Sequence, residues 1–161
     1  LPGVGSFDSV MSELNRSGLK DKLNEFVLFK KKPILGICVG MQIMACKSEE
    51  GEKDGLSWFD GNNFHLSNII KKQIKLPHIG WNEIEAKSDS KLFDGIKNPK
   101  FYFLHSYYIK TTNNNEIDAF TNYVENFPCA VSKNDQIFGV QFHPEKSHQY
   151  GIKLLKNFSE I

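Results

Sequence analysis

Apolar residues near the start of the chain recur at the spacing of helix faces. The first such face carries Phe7, Val10, Met11 and Leu14. Gly18 is placed to end this first helix, and a second helix is predicted from residue 19. Lysines 30–32 fall in its last turn, where positive charge suits the helix dipole. We interpret them as a solvent-exposed helix end.

A short apolar run over residues 34–38 has the length and β-branched content of a strand that is buried on both faces. Residues 41–46 predict a helix directly after it, and the polar residues 47–61 predict an exposed connection. The second half is richer in strands, for which the candidates are residues 69–74, 81–86, 100–105, 119–124, 129–132 and 137–142. Residues 113–115 predict a turn, and residues 148–158 predict a last amphipathic helix.

This order of elements predicts a single α/β domain over residues 1–161. Helices alternate with strands early and strands cluster later, which favours a central mixed, mainly parallel sheet extended by antiparallel strands, with helices on both faces. The length of 161 residues and the 40% hydrophobic content suit one domain.

Composition and charge exclude several classes of function. The 20 Lys and Arg residues against 19 Asp and Glu residues leave a formal charge of +1, too weak to favour nucleic acid or an anionic membrane as a partner. No apolar run approaches the roughly 20 residues that span a bilayer, and we expect a cytoplasmic protein. Cys38, Cys46 and Cys129 form no C-x-x-C pair, which argues against a disulfide framework and a zinc site. We expect neither a metal nor a cofactor.

The most informative segment is Gly36-Ile37-Cys38-Val39-Gly40, at which the predicted strand turns into a helix. This is the pattern of a nucleophile elbow, in which flanking glycines remove side chains that would block the turn or the substrate. We expect the helix N-terminus to lower the pKa of the Cys38 thiol and the backbone N–H of Val39 to point at an oxyanion. Taken alone, the pentapeptide also fits a small buried cysteine in a strand.

A second chemical segment, His143-Pro144-Glu145, ends the last predicted strand. In extended chain, residues two apart face the same side, so Glu145 could fix the tautomer of His143 and stabilise its protonated form. A cysteine nucleophile needs such a base. Alone, the tripeptide also fits a strand-ending turn. Together with Cys38, it makes a candidate Cys-His-Glu triad.

Several segments match one family in order from Leu1 to the final helix. Three are general: Pro2-Gly3-Val4-Gly5, the elbow with Gln42 four residues after Cys38, and His143-Pro144-Glu145. Three are more specific: Pro77-His78-Ile79-Gly80-Trp81-Asn82, Tyr102-Phe103-Leu104-His105-Ser106-Tyr107-Tyr108 and Phe142-His143-Pro144-Glu145-Lys146-Ser147. The general set resembles the class I, triad-type glutamine amidotransferases. With the specific set, the chain resembles the glutaminase subunits of imidazole glycerol phosphate synthases.

The resemblance implies that Cys38 attacks the side-chain amide carbon of L-glutamine. His143, oriented by Glu145, would protonate the departing ammonia, and water would hydrolyse the thioester. The backbone at Val4, Gly5 and Val39 would form the oxyanion hole.

The resemblance further implies that Gln42, Ser106 and Tyr107 hold the amino-acid end of the substrate. Gln42 also fits an ordinary polar residue in a first helical turn. The aromatic residues of the 102–108 segment also fit simple packing of the sheet.

A partner is implied as well, a (βα)8-barrel cyclase that forms a heterodimer with the glutaminase. It would use the ammonia to make imidazole glycerol phosphate in histidine biosynthesis. The resemblance places His78, Trp81 and Lys146 near this interface, although Trp81 also fits a core aromatic and His78 a hydrogen-bonded surface histidine. We expect little activity without the partner, because in this family the oxyanion hole is completed on partner signalling.

Family members normally carry a further strand-helix-strand portion of roughly 40 residues before Pro2, so we expect the domain to be N-terminally incomplete. A paralogous glutaminase that supplies ammonia to a synthetase aminating a surface-polysaccharide sugar would use the same chemistry at Cys38. A catalytically silent binding subunit would predict loss of Cys38, His143 or Glu145, and all three are present. A hydrolase of a related elbow-bearing fold would not explain Gln42.

Overall fold

The computed structural model describes residues 1–69 and 75–161, which form two sheets with helices packed against them. The strands are β1 (Pro2–Gly3), β2 (Ile34–Cys38), β3 (Lys47–Ser48), β4 (Gly61–His65), β5 (His78–Ala86), β6 (Lys100–His105), β7 (Tyr107–Thr111), β8 (Ile117–Tyr123), β9 (Glu125–Lys133) and β10 (Ile137–Val140). The α-helices are α1 (Phe7–Arg16), α2 (Leu19–Asn24), α3 (Val39–Gln42) and α4 (His148–Ser159), and a π-helical segment, Glu25–Phe29, follows α2.

The larger sheet has seven strands in the order β1-β2-β10-β9-β8-β5-β6. β2 pairs in parallel with β1 and with β10, and the remaining neighbours are antiparallel. The expected mixed α/β sheet is confirmed, but parallel pairing is limited to the edge around β2, so its share is smaller than the pattern predicts. The smaller sheet has the order β3-β4-β7.

Helices pack on both faces of the larger sheet. Successive residues of a strand point to opposite faces. Ile34 accordingly joins a buried cluster with Phe7 and Met11 of α1, whereas Leu35 joins a second cluster with Leu154 of α4. The sheet therefore divides the core into two layers, as expected for an α/β domain.

The predicted helix over 41–46 is wrong in extent, because α3 ends at Gln42. The carbonyls of Ile43 and Cys46 accept hydrogen bonds from the N–H groups of Leu56 and Gly55, at 2.7 Å each. These two hydrogen bonds hold the following loop against the elbow. Helix α3 ends early because the carbonyls after it pair with this loop instead of continuing the helix.

Other boundaries differ in smaller ways. The strands predicted over 34–38 and 100–105 match β2 and β6, whereas β4 and β7 were not predicted. Lysines 30–32 are exposed as expected, but they lie beyond the π-helical segment instead of in a last α-helical turn. Most of the strand predicted over 69–74 lies outside the described residues. Among the described helices, none combines the length and apolar character needed to cross a membrane.

Candidate active site

Cys38 is the last residue of β2, and α3 begins at the next residue. Its backbone has φ 55° and ψ −117°, a conformation that is strained for a residue with a side chain. A Cβ atom on Gly36 would lie 2.7 Å from the carbonyl oxygen of Gly40, and one on Gly40 would overlap the carbonyl oxygen of Leu1. The elbow therefore requires both glycines, for the steric reason that the sequence pattern indicates.

The thiol of Cys38 is half-buried beside β6 and β10. Its sulfur lies 3.9 Å from the carbonyl oxygen of Leu104 and 3.7 Å from Nε2 of Gln141. Burial raises the pKa of the thiol to about 11, and the hydrogen bond from the backbone N–H of Val39 acts in the opposite direction. The negative charge of Glu145 raises the pKa further. The expectation of a lowered thiol pKa is therefore wrong for this state, because a four-residue helix does not outweigh burial.

His143 and Glu145 meet directly. Nδ1 of His143 donates a hydrogen bond to Oε1 of Glu145 at 2.6 Å, and the imidazole is buried whereas half of the carboxylate side chain is exposed. The expected pairing is present, but its geometry differs from the extended chain assumed, because Pro144–Lys146 form a turn of 3-10 helix. The bond leaves Nε2 of His143 with its lone pair, the form that a general base needs.

Backbone and hydroxyl groups fix His143 in place. Its N–H donates to the carbonyl oxygen of Tyr102 at 2.8 Å, and its own carbonyl oxygen accepts from Oγ of Ser147 at 2.6 Å. The same hydroxyl accepts from the N–H of Tyr102 at 3.0 Å. His143 is therefore tied to β6 through both its N–H and its carbonyl group.

The three triad candidates lie at one end of two neighbouring strands. β2 and β10 are parallel neighbours with Ile37 opposite Val140, so Cys38, which ends β2, and His143, which follows β10, lie at the carboxyl ends of adjacent strands. Within residues 1–69 and 75–161, the hydrogen bonds of the thiol do not include one to His143. Catalytic hydrogen bonds are often long or unformed before substrate binds, so this arrangement is compatible with a triad.

The candidate oxyanion segment runs beside the nucleophile. Gly3 pairs with Cys38 across β1 and β2, the side chain of Val4 is 85% exposed, and Gly5 has φ 105°. The exposed peptide at Val4 and Gly5 is free of packing on its outer side. The N–H of Val39, at the start of α3, acts to lower the pKa of the Cys38 thiol.

Gln42 and the Ser106–Tyr107 segment are joined by hydrogen bonds. Nε2 of the buried Gln42 donates to the carbonyl oxygen of Tyr107 at 3.3 Å and to Oε1 of Gln141 at 3.0 Å. Ser106 and Tyr107 are half-buried where β6 passes into β7. The structure thus brings the expected substrate-binding residues together, and it adds Gln141, for which the sequence suggested no role.

Glu50 is a further residue that sequence reasoning missed. Its Oε2 accepts a hydrogen bond from the N–H of Phe7 at 2.7 Å, and its negative charge contributes to the raised pKa values of both Cys38 and Tyr107. Paired acidic residues shortly after a nucleophile elbow were the available signal, but they fell in a segment interpreted as a connection.

The three residues expected at a partner interface separate into two groups. Trp81 is 41% exposed, with its ring stacked on His148 at 5.4 Å, and Lys146 is exposed with Nζ 5.8 Å from the ring centre of Tyr102. His78, in contrast, is only 2% exposed. The alternative of a surface histidine is therefore wrong, because the side chain points to the opposite face of β5 from Trp81, and a role of His78 near the interface stays a prediction.

In the two described ranges, no group of three or more His, Cys, Asp and Glu side chains is placed to hold a metal ion. The chemistry available at the edge of the sheet is that of a cysteine, an imidazole and backbone N–H groups.

Comparison with known proteins identifies related sequences over the whole chain. The profile of the family "Glutamine amidotransferase class-I" matches residues 1–161. The chain is 52% identical to the imidazole glycerol phosphate synthase subunit HisH of Leptospira interrogans, covering 100% of this chain and 79% of that protein. It is 49% identical to the subunit of the same name from Pelagibacter ubique, covering 100% of this chain and 78% of that protein.

Solved structures show the same fold at lower identity. The crystal structure of a glutamine amidotransferase aligns with a TM-score of 0.70 at 16% identity, covering 98% of this chain and 77% of the other. A glutamine amidotransferase from Thermotoga maritima aligns with a TM-score of 0.60 at 17% identity, covering 98% of this chain and 59% of the other. At these identities, the likeness concerns the fold.

Proposed function

The chain belongs to the class I glutamine amidotransferase family, and we propose that it is the glutaminase subunit of an imidazole glycerol phosphate synthase. It hydrolyses L-glutamine to glutamate and ammonia, and it passes the ammonia to a cyclase subunit in histidine biosynthesis. The observation that carries this proposal is identity of about half along the whole chain with relatives of that name. The polysaccharide-linked alternative has no comparable support.

The first step of the proposed reaction forms a thioester at Cys38. Nε2 of His143 takes the thiol proton as the sulfur attacks the amide carbon of glutamine. The N–H of Val39 and the peptide between Val4 and Gly5 stabilise the oxyanion, where each such donor is typically worth about 3 kcal/mol of barrier. The imidazolium then gives its proton to the leaving nitrogen, which departs as ammonia, and a glutamyl thioester remains.

The second step hydrolyses the thioester. His143, neutral again, takes a proton from a water molecule as the water oxygen attacks the thioester carbon. The imidazolium then returns the proton to the sulfur of Cys38 as glutamate leaves. Glu145 holds the ring through Nδ1 at 2.6 Å, so that Nε2 faces the reaction in both steps.

Substrate recognition is assigned to the groups around Tyr107. Glutamine carries an ammonium and a carboxylate at the end opposite to its amide. Glu50 supplies negative charge near both Cys38 and Tyr107, which suits the ammonium group. Gln42 and the Ser106–Tyr107 segment supply the neutral hydrogen-bonding groups.

The cyclase is proposed to dock on the outer face of β5 and β6. Ile79, Trp81 and Leu104 are 54%, 41% and 38% exposed, and Ile79 lies opposite Leu104 across the two strands. Lys146 borders this apolar face beside Tyr102. An aromatic anchor with apolar neighbours and a charged rim is typical of protein interfaces. Because Leu104 also contacts Cys38 through its carbonyl, the face adjoins the nucleophile.

Glutamate formation from glutamine tests the function directly. The purified chain is assayed alone and with an imidazole glycerol phosphate synthase cyclase subunit plus its nucleotide substrate, and Cys38→Ala is the control. We expect low activity alone and strong activation by the partner, with no activity in the variant. Full activity in the absence of the cyclase would contradict the proposed dependence on the partner, and activity of Cys38→Ala would contradict the mechanism.

A further inference from the structure

Two buried histidines outside the proposed triad are joined to each other and to the glutamine site. Nδ1 of His78 lies 3.0 Å from Nε2 of His105, and Nδ1 of His105 lies 2.8 Å from the carbonyl oxygen of Tyr107. On the other side, Nδ2 of Asn82 lies 3.5 Å from Nε2 of His78 and donates to the carbonyl oxygen of Asn122 at 2.7 Å. These contacts form one continuous chain from β8 to the start of β7.

The donors and acceptors in this chain have only one consistent order. A carbonyl oxygen only accepts, so Nδ1 of His105 carries a hydrogen, and because burial keeps this ring neutral, its Nε2 is an acceptor. Nδ1 of His78 must then donate, which leaves Nε2 of His78 to accept from Asn82. Burial keeps both rings neutral, since it lowers the pKa of His78 to about 4 and that of His105 to about 3.

The chain ends on an atom that also serves the proposed glutamine site. The carbonyl oxygen of Tyr107 accepts from Nε2 of Gln42 as well as from His105. Gln42 donates in turn to Gln141, whose Nε2 lies 3.7 Å from the sulfur of Cys38. A displacement of the Tyr107 carbonyl would therefore disturb Gln42 and the turn at Ser106.

Packing alone does not account for two imidazoles at these positions. The ring of His78 is stacked between Phe103 and Tyr123, at centroid distances of 4.7 and 4.1 Å, and His105 lies 5.5 Å from Phe127. Apolar side chains would fill such surroundings without the cost of desolvating ring nitrogens. The imidazoles instead provide directional hydrogen bonds. A fully satisfied chain of such bonds specifies one arrangement of the backbone at its end.

We propose that His78 and His105 are positioning residues that hold the Tyr107 carbonyl, and through it Gln42 and Ser106, in the geometry that binds glutamine. The inference rests on the proposed glutaminase function. His105 makes the direct bond, and His78 fixes its tautomer. Neither touches the reacting atoms.

Kinetics of the complex with the cyclase separate positioning from packing. His105→Leu removes the donor to Tyr107 and should raise the KM for glutamine about tenfold with a smaller change in kcat, as expected for loss of one oriented hydrogen bond used in binding. His105→Asn keeps a donor nitrogen two bonds from Cβ, as in Nδ1, and should restore KM to within about threefold although it leaves His78 without its acceptor. Phe138→Leu is the control for lost stability, because it changes a buried residue in the same hydrophobic core cluster as Phe103 and Phe127.

The outcomes distinguish the two roles. Low thermal stability of His105→Leu with an unchanged KM, or equal KM values for the Leu and Asn variants, would overturn the inference. Nitrogen-15 NMR of the unmodified chain at pH 7.5 gives a second readout, which should show hydrogen on Nδ1 of both rings, and hydrogen on Nε2 of His105 would also overturn it. If the unmodified complex forms no glutamate, the proposed function fails, and the NMR result still decides whether the chain of hydrogen bonds exists.

Discussion

The thiol of Cys38 is directed at the backbone carbonyl of Leu104, 3.9 Å away, and not at the imidazole of His143. Leu104 belongs to β6, whose outer face carries the proposed docking surface for the cyclase. The proposed nucleophile therefore rests against the strand that a partner would contact, while the imidazole ring of its proposed base is hydrogen-bonded through Nδ1 to Glu145. In the proposed mechanism, the thiol must turn from Leu104 to Nε2 of His143 before its proton can be removed.

The resting thiol should react slowly with alkylating agents at neutral pH. Burial raises the pKa of Cys38 to about 11, so the thiol is the dominant form between pH 7 and pH 10, and the thiolate appears only as the pH approaches 11. Mass spectrometry of the peptide that contains Cys38 measures the rate of carboxamidomethylation by iodoacetamide. This rate should rise continuously from pH 7 to pH 10. Cys46→Ser is the control for labelling at the other half-buried cysteine. A rate that levels off below pH 8 would contradict the raised pKa.

Glu145→Gln should lower kcat far more than it changes folding. The amide cannot accept the short hydrogen bond from Nδ1 of His143 as a charged carboxylate does, and it no longer stabilises the imidazolium. We expect kcat for glutamine hydrolysis to fall by roughly 10²-fold, in the lower range for general acid–base groups. Half of the Glu145 side chain is exposed, so the unfolding temperature should change little. Glu160→Gln, at an exposed position immediately after α4, is the matched control and should retain full activity.

Gly36→Ala should disrupt the elbow. The added methyl group would lie 2.7 Å from the carbonyl oxygen of Gly40 and 2.6 Å from Cε of Met44, so the turn must shift. Overpacking of this kind costs about 1–3 kcal/mol of unfolding free energy, and we expect loss of activity with it. Urea denaturation measures the first and glutamate formation the second. Gly18→Ala, in open space but with φ 68°, should cost about 1 kcal/mol through backbone strain and leave the activity intact.

Local sequence was sufficient to predict the elements that carry the proposed chemistry. The apolar run 34–38 and the Gly-x-Cys-x-Gly pattern predict both β2 and the elbow, because the close approach of Gly36 and Gly40 excludes other residues. The pairing of His143 with Glu145 was also predicted. Its turn geometry was not, since the 3-10 turn is packed against Gly151 of α4, where a Cβ would overlap the carbonyl of Pro144.

Features that depend on distant contacts could not be predicted from spacing. The pKa of Cys38 depends on burial beneath β6, and the inward position of His78 depends on which face of β5 meets the core. Each face of β5 carries both apolar and polar residues, such as Ile84 and Asn82 on one and Trp81 and Glu83 on the other, so its alternation does not reveal the buried side. Glu50 escaped notice because only the fold brings its loop to the start of α1, 43 residues away in the chain.

Trp81→Ala should weaken binding of the cyclase subunit. The exposed ring is held in place by stacking on His148, with an interplanar angle of 4°, and by an edge contact with Tyr102. A rigid aromatic on an apolar face loses little conformational freedom on binding, and truncation of such an anchor typically costs 2 kcal/mol or more, about a 30-fold rise in Kd. Isothermal titration of the chain with the cyclase measures this change. Phe120→Ala removes an aromatic of similar exposure, 40% against 41%, from β8. If Trp81→Ala binds the cyclase as tightly as the unmodified chain, the docking surface lies away from Trp81, whereas a loss that Phe120→Ala does not share would centre it on the outer face of β5 and β6 around Trp81.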